Sequence, residues 1–171
     1  AESGLQPHVV REGLDALRID PHEALADYVR LQTGLGLVTD RILGSEMFRQ
    51  LLDAAPGWRE LILLGKLWHA EQKTDARGQP RHDLIVVDAP ATGHGLTLLD
   101  VPRVVQSAVR TGPLARNAGR VEAMLLDPVQ TVLVPVCWPE TLPVRETVEL
   151  VERLEAGVGI HVDRVVVNGV A

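Results

Sequence analysis

The sequence predicts an α/β fold: a parallel sheet with helices on both faces and a helical insertion over residues 39–73. Two observations carry this expectation. Short runs rich in branched apolar residues, 84–87, 131–136 and 164–167, read as strands buried in a parallel sheet. Stretches with helical spacing separate them, and strands alternating with helices of this length wind through right-handed crossovers. At 171 residues the chain allows one domain with a sizeable core.

Residues 1–10 read as an irregular lead-in. Leu14–Ile19 is a short strand ending at Asp20. Asp20-Pro21-His22-Glu23 then has the chemistry of a helix start, with aspartate as N-cap, proline first and glutamate third. That helix carries Leu25, Tyr28, Val29 and Gln32 until Gly34 and Gly36 interrupt it. Residues 39–73 read as helices broken at Ala55-Pro56-Gly57. Ile42, Met47, Leu51 and Leu52 mark one apolar face, and Leu61, Leu64, Leu67 and Trp68 another. These faces suit packing against the sheet; the alternative is a groove for a hydrophobic partner.

Residues 74–81 are a polar turn before the strand at 84–87. Val101–Arg110 and Leu114–Leu126 are helical, separated by Thr111-Gly112-Pro113. Residues 131–136 form a second buried strand. Thr141–Ala156 is an amphipathic helix with Val144, Val148, Val151 and Leu154 inward, stopped near Gly157. The chain turns back over 157–163, and 164–167 is the last strand.

A net charge of −6 argues against nucleic-acid binding, which needs a basic stripe. Cys137 is the single cysteine, which excludes an internal disulfide framework and suits a reducing cytoplasm. Residues 1–20 lack the basic start and apolar core of a signal peptide. The apolar runs are too short to span a bilayer, and the six histidines lack metal-ligand spacing.

Leu84-Ile85-Val86-Val87-Asp88 leads into Ala89-Pro90-Ala91-Thr92-Gly93-His94-Gly95-Leu96, an apolar strand ending in an acid before a polar, glycine-bearing turn. A carboxylate at the C-terminal end of such a strand lies where open α/β sheets bind ligands. Asp88 is placed there to hold magnesium, directly or through water; a helix N-cap or turn former is the structural alternative. Gly93 has no side chain to keep its N–H from a phosphate. Thr92, Gly93 and His94 also suit a plain strand-to-helix turn.

The segment Asp88–Pro102 closely resembles switch II of the ArsA-type ATPases, the arsenical pump-driving ATPases and the targeting factors for tail-anchored membrane proteins. The shared features are the aspartate, the Ala-Thr-Gly-His core, the Leu-x-Leu-Leu run and the proline. Leu17–Leu25, Pro56–Leu61 with Gly65–Trp68, Pro139–Thr147 and Val165–Asn168 are similar to further family segments in the same order. The resemblance spans nearly the whole chain and implies a parallel sheet of the P-loop NTPase type. It implies a magnesium-dependent ATPase in which Asp88 serves the metal and Thr92, Gly93 and His94 sense the γ-phosphate. His94 is read as a coupling residue rather than a general base, because phosphoryl transfer mainly needs positioning and charge. Asn168 would meet the adenine, since an amide donates and accepts at once; a strand-end turn is its structural alternative. Glu140 would lie near the nucleotide, or else be a solvated acid favoured by a helix dipole.

The resemblance further implies a homodimer or pseudo-dimer in the cytoplasm, coupling ATP state to a membrane-protein partner or hydrophobic client. Cys137 alone cannot supply the paired cysteines with which some members clamp zinc. The family's glycine-rich phosphate loop ending in Gly-Lys-Ser/Thr does not occur here. Gly65-Lys66 is followed by Leu67 within a helical pattern, so it is not that loop. The expectation is therefore one partial ATPase domain over 1–171, an internal fragment of a longer ATPase and inactive alone. Two alternatives remain open: a partitioning or division-site type ATPase, and a non-hydrolysing scaffold or client-binding module on the same fold.

Overall fold

The computed structural model describes residues 8–33 and 57–170, and divides into two compact units, Ala1–Ala70 and Glu71–Ala171. The predicted faces at Ile42, Met47, Leu51 and Leu52, the glycines at 34 and 36 and the break at Ala55-Pro56 lie outside the described residues.

In the first unit, β1 (His8–Arg11) and β2 (Leu14–Ala16) form an antiparallel hairpin. Glu12-Gly13 makes the turn, with Gly13 at φ 77°, a left-handed conformation that glycine adopts without steric cost. This corrects two expectations. The lead-in contains a strand, and Leu14–Ile19 shrinks to three residues that pair antiparallel. The polar residues on either side of Val9-Val10 hide the strand, and the short loop sets the pairing.

The start of α1 (Pro21–Thr33) is as its sequence dictates. Asp20 Oδ1 accepts the N–H groups of His22 at 2.9 Å and Glu23 at 3.1 Å, which satisfies first-turn donors that have no helical partner. α1 buries Ala24 and Leu25, and α2 (Trp58–Glu71) buries Leu61 and Leu64. Lys66 Nζ lies 3.0 Å from Asp27 Oδ2, and its place inside α2 agrees with excluding Gly65-Lys66 as a phosphate loop.

The second unit opens with the predicted turn. Asp75 Oδ1 accepts N–H groups from Arg77 at 2.8 Å and Gln79 at 3.0 Å, and Thr74 bridges to Pro80. Beyond it lies the largest departure. Residues 84–87 form no strand and pair with none among the described residues, leaving Leu84 78% and Val86 83% exposed. The expected buried parallel strand is absent there: burial of a strand needs neighbouring strands, and no strand among the described residues pairs with this segment.

Helix α3 (Thr92–Ala108) begins well before the predicted Val101 and runs through Pro102. Thr97 Oγ1 donates to the Gly93 carbonyl at 3.0 Å within its first turns. A proline inside a helix removes one ladder hydrogen bond; burial of Leu98, Val101 and Pro102 offsets that loss. Gly112 ends the intervening turn at φ 99° and Pro113 opens α4 (Pro113–Leu126), as the Thr-Gly-Pro break predicts. Ala118, Val121, Met124 and Leu125 give α4 one buried stripe, and α4 packs on α3.

Residues 131–137 are extended with one side covered and the other exposed, but only β3 (Val136–Cys137) forms a ladder, parallel to β4 (Val166–Val167). The sheets among the described residues are thus this pair and the hairpin, smaller than the sheet predicted. Helix α5 (Thr141–Arg153) packs on β3 and α3 and widens into a π-turn over Leu154–Val158, ended by Gly159 at φ 84°. Its inward face is also corrected. Val144 and Val148 are exposed and Thr147 is buried, because the Thr147 hydroxyl donates to the Pro143 carbonyl at 2.8 Å and carries no unmet hydrogen bond inward. Leu154 is inward as predicted, at 0% exposure.

Candidate functional site

The predicted site residues lie in the second unit as two groups. The first is Asp88 through His94 at the start of α3. Asp88 is exposed and makes no hydrogen bond or ion pair with the described residues. Ala91 is the N-cap of α3 and provides no side-chain cap. The N-cap thus offers no side-chain acceptor to the first-turn N–H groups, at a helix end that carries partial positive charge. Gly93 and His94 are exposed. An open carboxylate beside open amide donors is suited to a metal-bound phosphate. Magnesium needs only one or two protein carboxylates, with phosphate oxygens and water completing its octahedron, so Asp88 fits that requirement. No cluster of three His, Cys, Asp or Glu side chains able to hold a metal occurs among the described residues.

Gly95 is a residue that the sequence does not single out. The Pro90 carbonyl passes so close that a β-carbon at 95 would lie 2.7 Å from its oxygen. The second glycine of Gly-His-Gly is the signal for it. Gly95→Ala is expected to open the 90–95 turn and to cost roughly 1–3 kcal/mol, as overpacking does. Urea unfolding of the full-length protein checks this, and an unchanged midpoint would count against the turn geometry.

The second group sits at the C-terminal end of the parallel pair. β3 and β4 run in register, Val136 opposite Val166 and Cys137 opposite Val167. The Asn168 N–H donates to the Cys137 carbonyl at 2.8 Å, which fixes Asn168 just past the end of β4 with its side chain exposed. Val136 and Asn168 thus share one sheet edge, whereas Asp88 follows a segment outside any sheet among the described residues. Glu140 is the N-cap of α5; its carbonyl accepts from Val144 N–H at 3.1 Å, and its carboxylate makes no cap bond. It is therefore an open acid at a helix start, compatible with either role predicted for it. No hydrogen bond joins the two groups among the described residues.

Arg103 links the first group to the rest of the unit. Its guanidinium donates to the Gly157 carbonyl in the π-turn at 2.7 Å and pairs with Asp100 at 2.8 Å.

A sequence model described as Anion-transporting ATPase matches residues 1–116 and 111–171. ATPase BagA of Mycobacterium tuberculosis is 35% identical over 91% of this chain and 45% of its own length. The arsenical pump-driving ATPase of Escherichia coli is 30% identical over 97% of the chain and 30% of its own length. ATPase GET3 of Kluyveromyces lactis is 26% identical over 91% of the chain and 53% of its own length. The chain thus spans about half the length of the first of these relatives. No helix among the described residues is long and apolar enough to cross a membrane. With the family match running from the first residue to the last, the chain belongs to the ArsA-type, anion-transporting ATPase family.

Proposed function

We propose that this chain is part of an ATP-hydrolysing switch that couples nucleotide state to a partner or client. The single observation that carries the reading is the entrance to α3, where an unpartnered Asp88 carboxylate precedes an uncapped helix start on the family's switch II sequence. Phosphoryl transfer asks little covalent chemistry of a protein and depends on charge and position. In this reading Asp88 holds the nucleotide's magnesium, which neutralises charge on the β- and γ-phosphates. The first-turn amides of α3, with Thr92, Gly93 and His94, face the γ-phosphate. Loss of that phosphate releases them, and α3 transmits the change through Arg103 to the turn after α5.

Asn168 reads the adenine edge and Glu140 stands near the nucleotide. The Gly-Lys-Ser/Thr loop absent from these 171 residues is the part this reading requires from elsewhere in a longer protein, as a strand and loop beside the Asp88 segment. Both units would then be parts of one ATPase domain, with 39–73 an insertion, working as a dimer with a hydrophobic or membrane-protein partner.

The test is base selectivity in the full-length protein. Asn168→Ala is expected to weaken ATP binding by about 1–3 kcal/mol by leaving a base edge unpaired, raising the ATP requirement more than it lowers the maximal rate. Wild-type preference for ATP over GTP should shrink in the variant. Equal handling of the two nucleotides by both proteins would contradict the assignment.

A further inference from the structure

The chain is poor in aromatic residues, with three tryptophans, one tyrosine and one phenylalanine, yet one tryptophan stands exposed at the mouth of the parallel pair. Trp138 directly follows β3, and 59% of it is accessible. Side chains along 131–138 alternate between covered and open, and Trp138 continues the open side after Val132, Val134 and Val136. Its indole lies against the backbone of Gly169. A β-carbon at 169 would fall 2.5 Å from Cζ3 and 2.7 Å from Cε3. Gly169, at φ 77°, is thus the only kind of residue that admits the ring there. Asn168 is the adjacent residue, tied to the preceding Cys137 carbonyl at 2.8 Å, and the Glu140 N–H closes onto the Trp138 carbonyl at 2.8 Å. The indole N–H makes no hydrogen bond with the described residues. The ring is steadied by a glycine on one side while much of it remains open to solvent beside an amide.

We propose that Trp138 is a base-binding residue, a fixed aromatic plane on which the purine stacks while the Asn168 amide reads its edge. The assignment rests on the reading of Asn168 as an adenine contact and adds a second, chemically different recognition element. An aromatic plane gains affinity for a heterocycle by stacking and has none for a bare phosphate chain. A fixed ring loses little conformational freedom on binding.

The experiment is calorimetry on the full-length protein with two probes, ATP and inorganic tripolyphosphate, both with magnesium. Trp138→Ala is expected to weaken ATP binding about tenfold, the lower range for loss of a base–aromatic stack, with tripolyphosphate binding unchanged. Trp138→Phe should recover most of the ATP affinity. Equal weakening of both probes would make Trp138 a packing residue of the Gly169 turn and overturn the proposal. Unchanged ATP affinity in Trp138→Ala, beside a clear loss in Asn168→Ala, would overturn it while leaving the site reading intact. A wild-type protein that binds neither probe would remove the nucleotide site itself, and this proposal with it.

Discussion

Asp88→Asn in the full-length protein is expected to lower ATP turnover by roughly two to three orders of magnitude and to leave the unfolding transition in place. The scale is that of removing one preorganised electrostatic group from a phosphoryl-transfer site. The expectation for stability follows from the geometry. Asp88 is exposed and has no hydrogen-bond or ion-pair partner among the described residues, so the fold loses no contact when its charge goes. Asparagine keeps the volume and turn preference of aspartate but offers magnesium a neutral oxygen. Steady-state turnover beside a urea titration separates the two effects. Unimpaired turnover, or a collapse in stability, would each refute one half of the prediction.

Leu154→Ala is expected to have the largest effect on stability, about 2–5 kcal/mol, the range for deleting a fully buried leucine. Leu154 is at 0% exposure, and its carbonyl accepts the N–H groups of Gly159 at 2.8 Å and Ile160 at 3.2 Å. Its side chain thus anchors the π-turn onto which Arg103 holds α3. A cavity there should loosen the far end of the proposed switch while the entrance at Asp88 stays chemically intact. Denaturant unfolding checks the magnitude, with Leu154→Met as the control expected to lose less than about 1.5 kcal/mol. An alanine variant as stable as the parent would show that the π-turn is held by other contacts.

The features legible in the sequence were those set by a few neighbouring residues. Asp20 with Pro21 starts α1, Gly112 with Pro113 starts α4, and Asp75 closes the polar turn, each through backbone chemistry complete within several residues. Strand burial is not local. Leu84–Val87 carries the composition of a core strand, but its exposure is decided by whether another strand lies beside it. The inward face of α5 departs from its apolar pattern for a related reason: Val144 and Val148 suggest a buried stripe, whereas Thr147 goes inward once its hydroxyl has satisfied the Pro143 carbonyl. The hairpin at 8–16 leaves little trace in the sequence because Val9 and Val10 lie between polar residues, with Glu12-Gly13 as the turn signal. Of the candidate site, the residues proposed to carry the chemistry come from the motif. Gly95 and the Trp138–Gly169 contact do not, because each depends on a close approach that only the folded backbone creates.

The claim at the centre of this account is that Asp88 holds the nucleotide's metal, and the magnesium dependence of ATP turnover in wild type and Asp88→Asn tests it most directly. If the carboxylate serves the metal, the magnesium concentration for half-maximal turnover rises about tenfold or more in the variant, one lost charged contact being worth at least ~1.4 kcal/mol. ATP affinity measured without divalent metal stays the same. An unchanged magnesium requirement in a folded Asp88→Asn protein would contradict the claim.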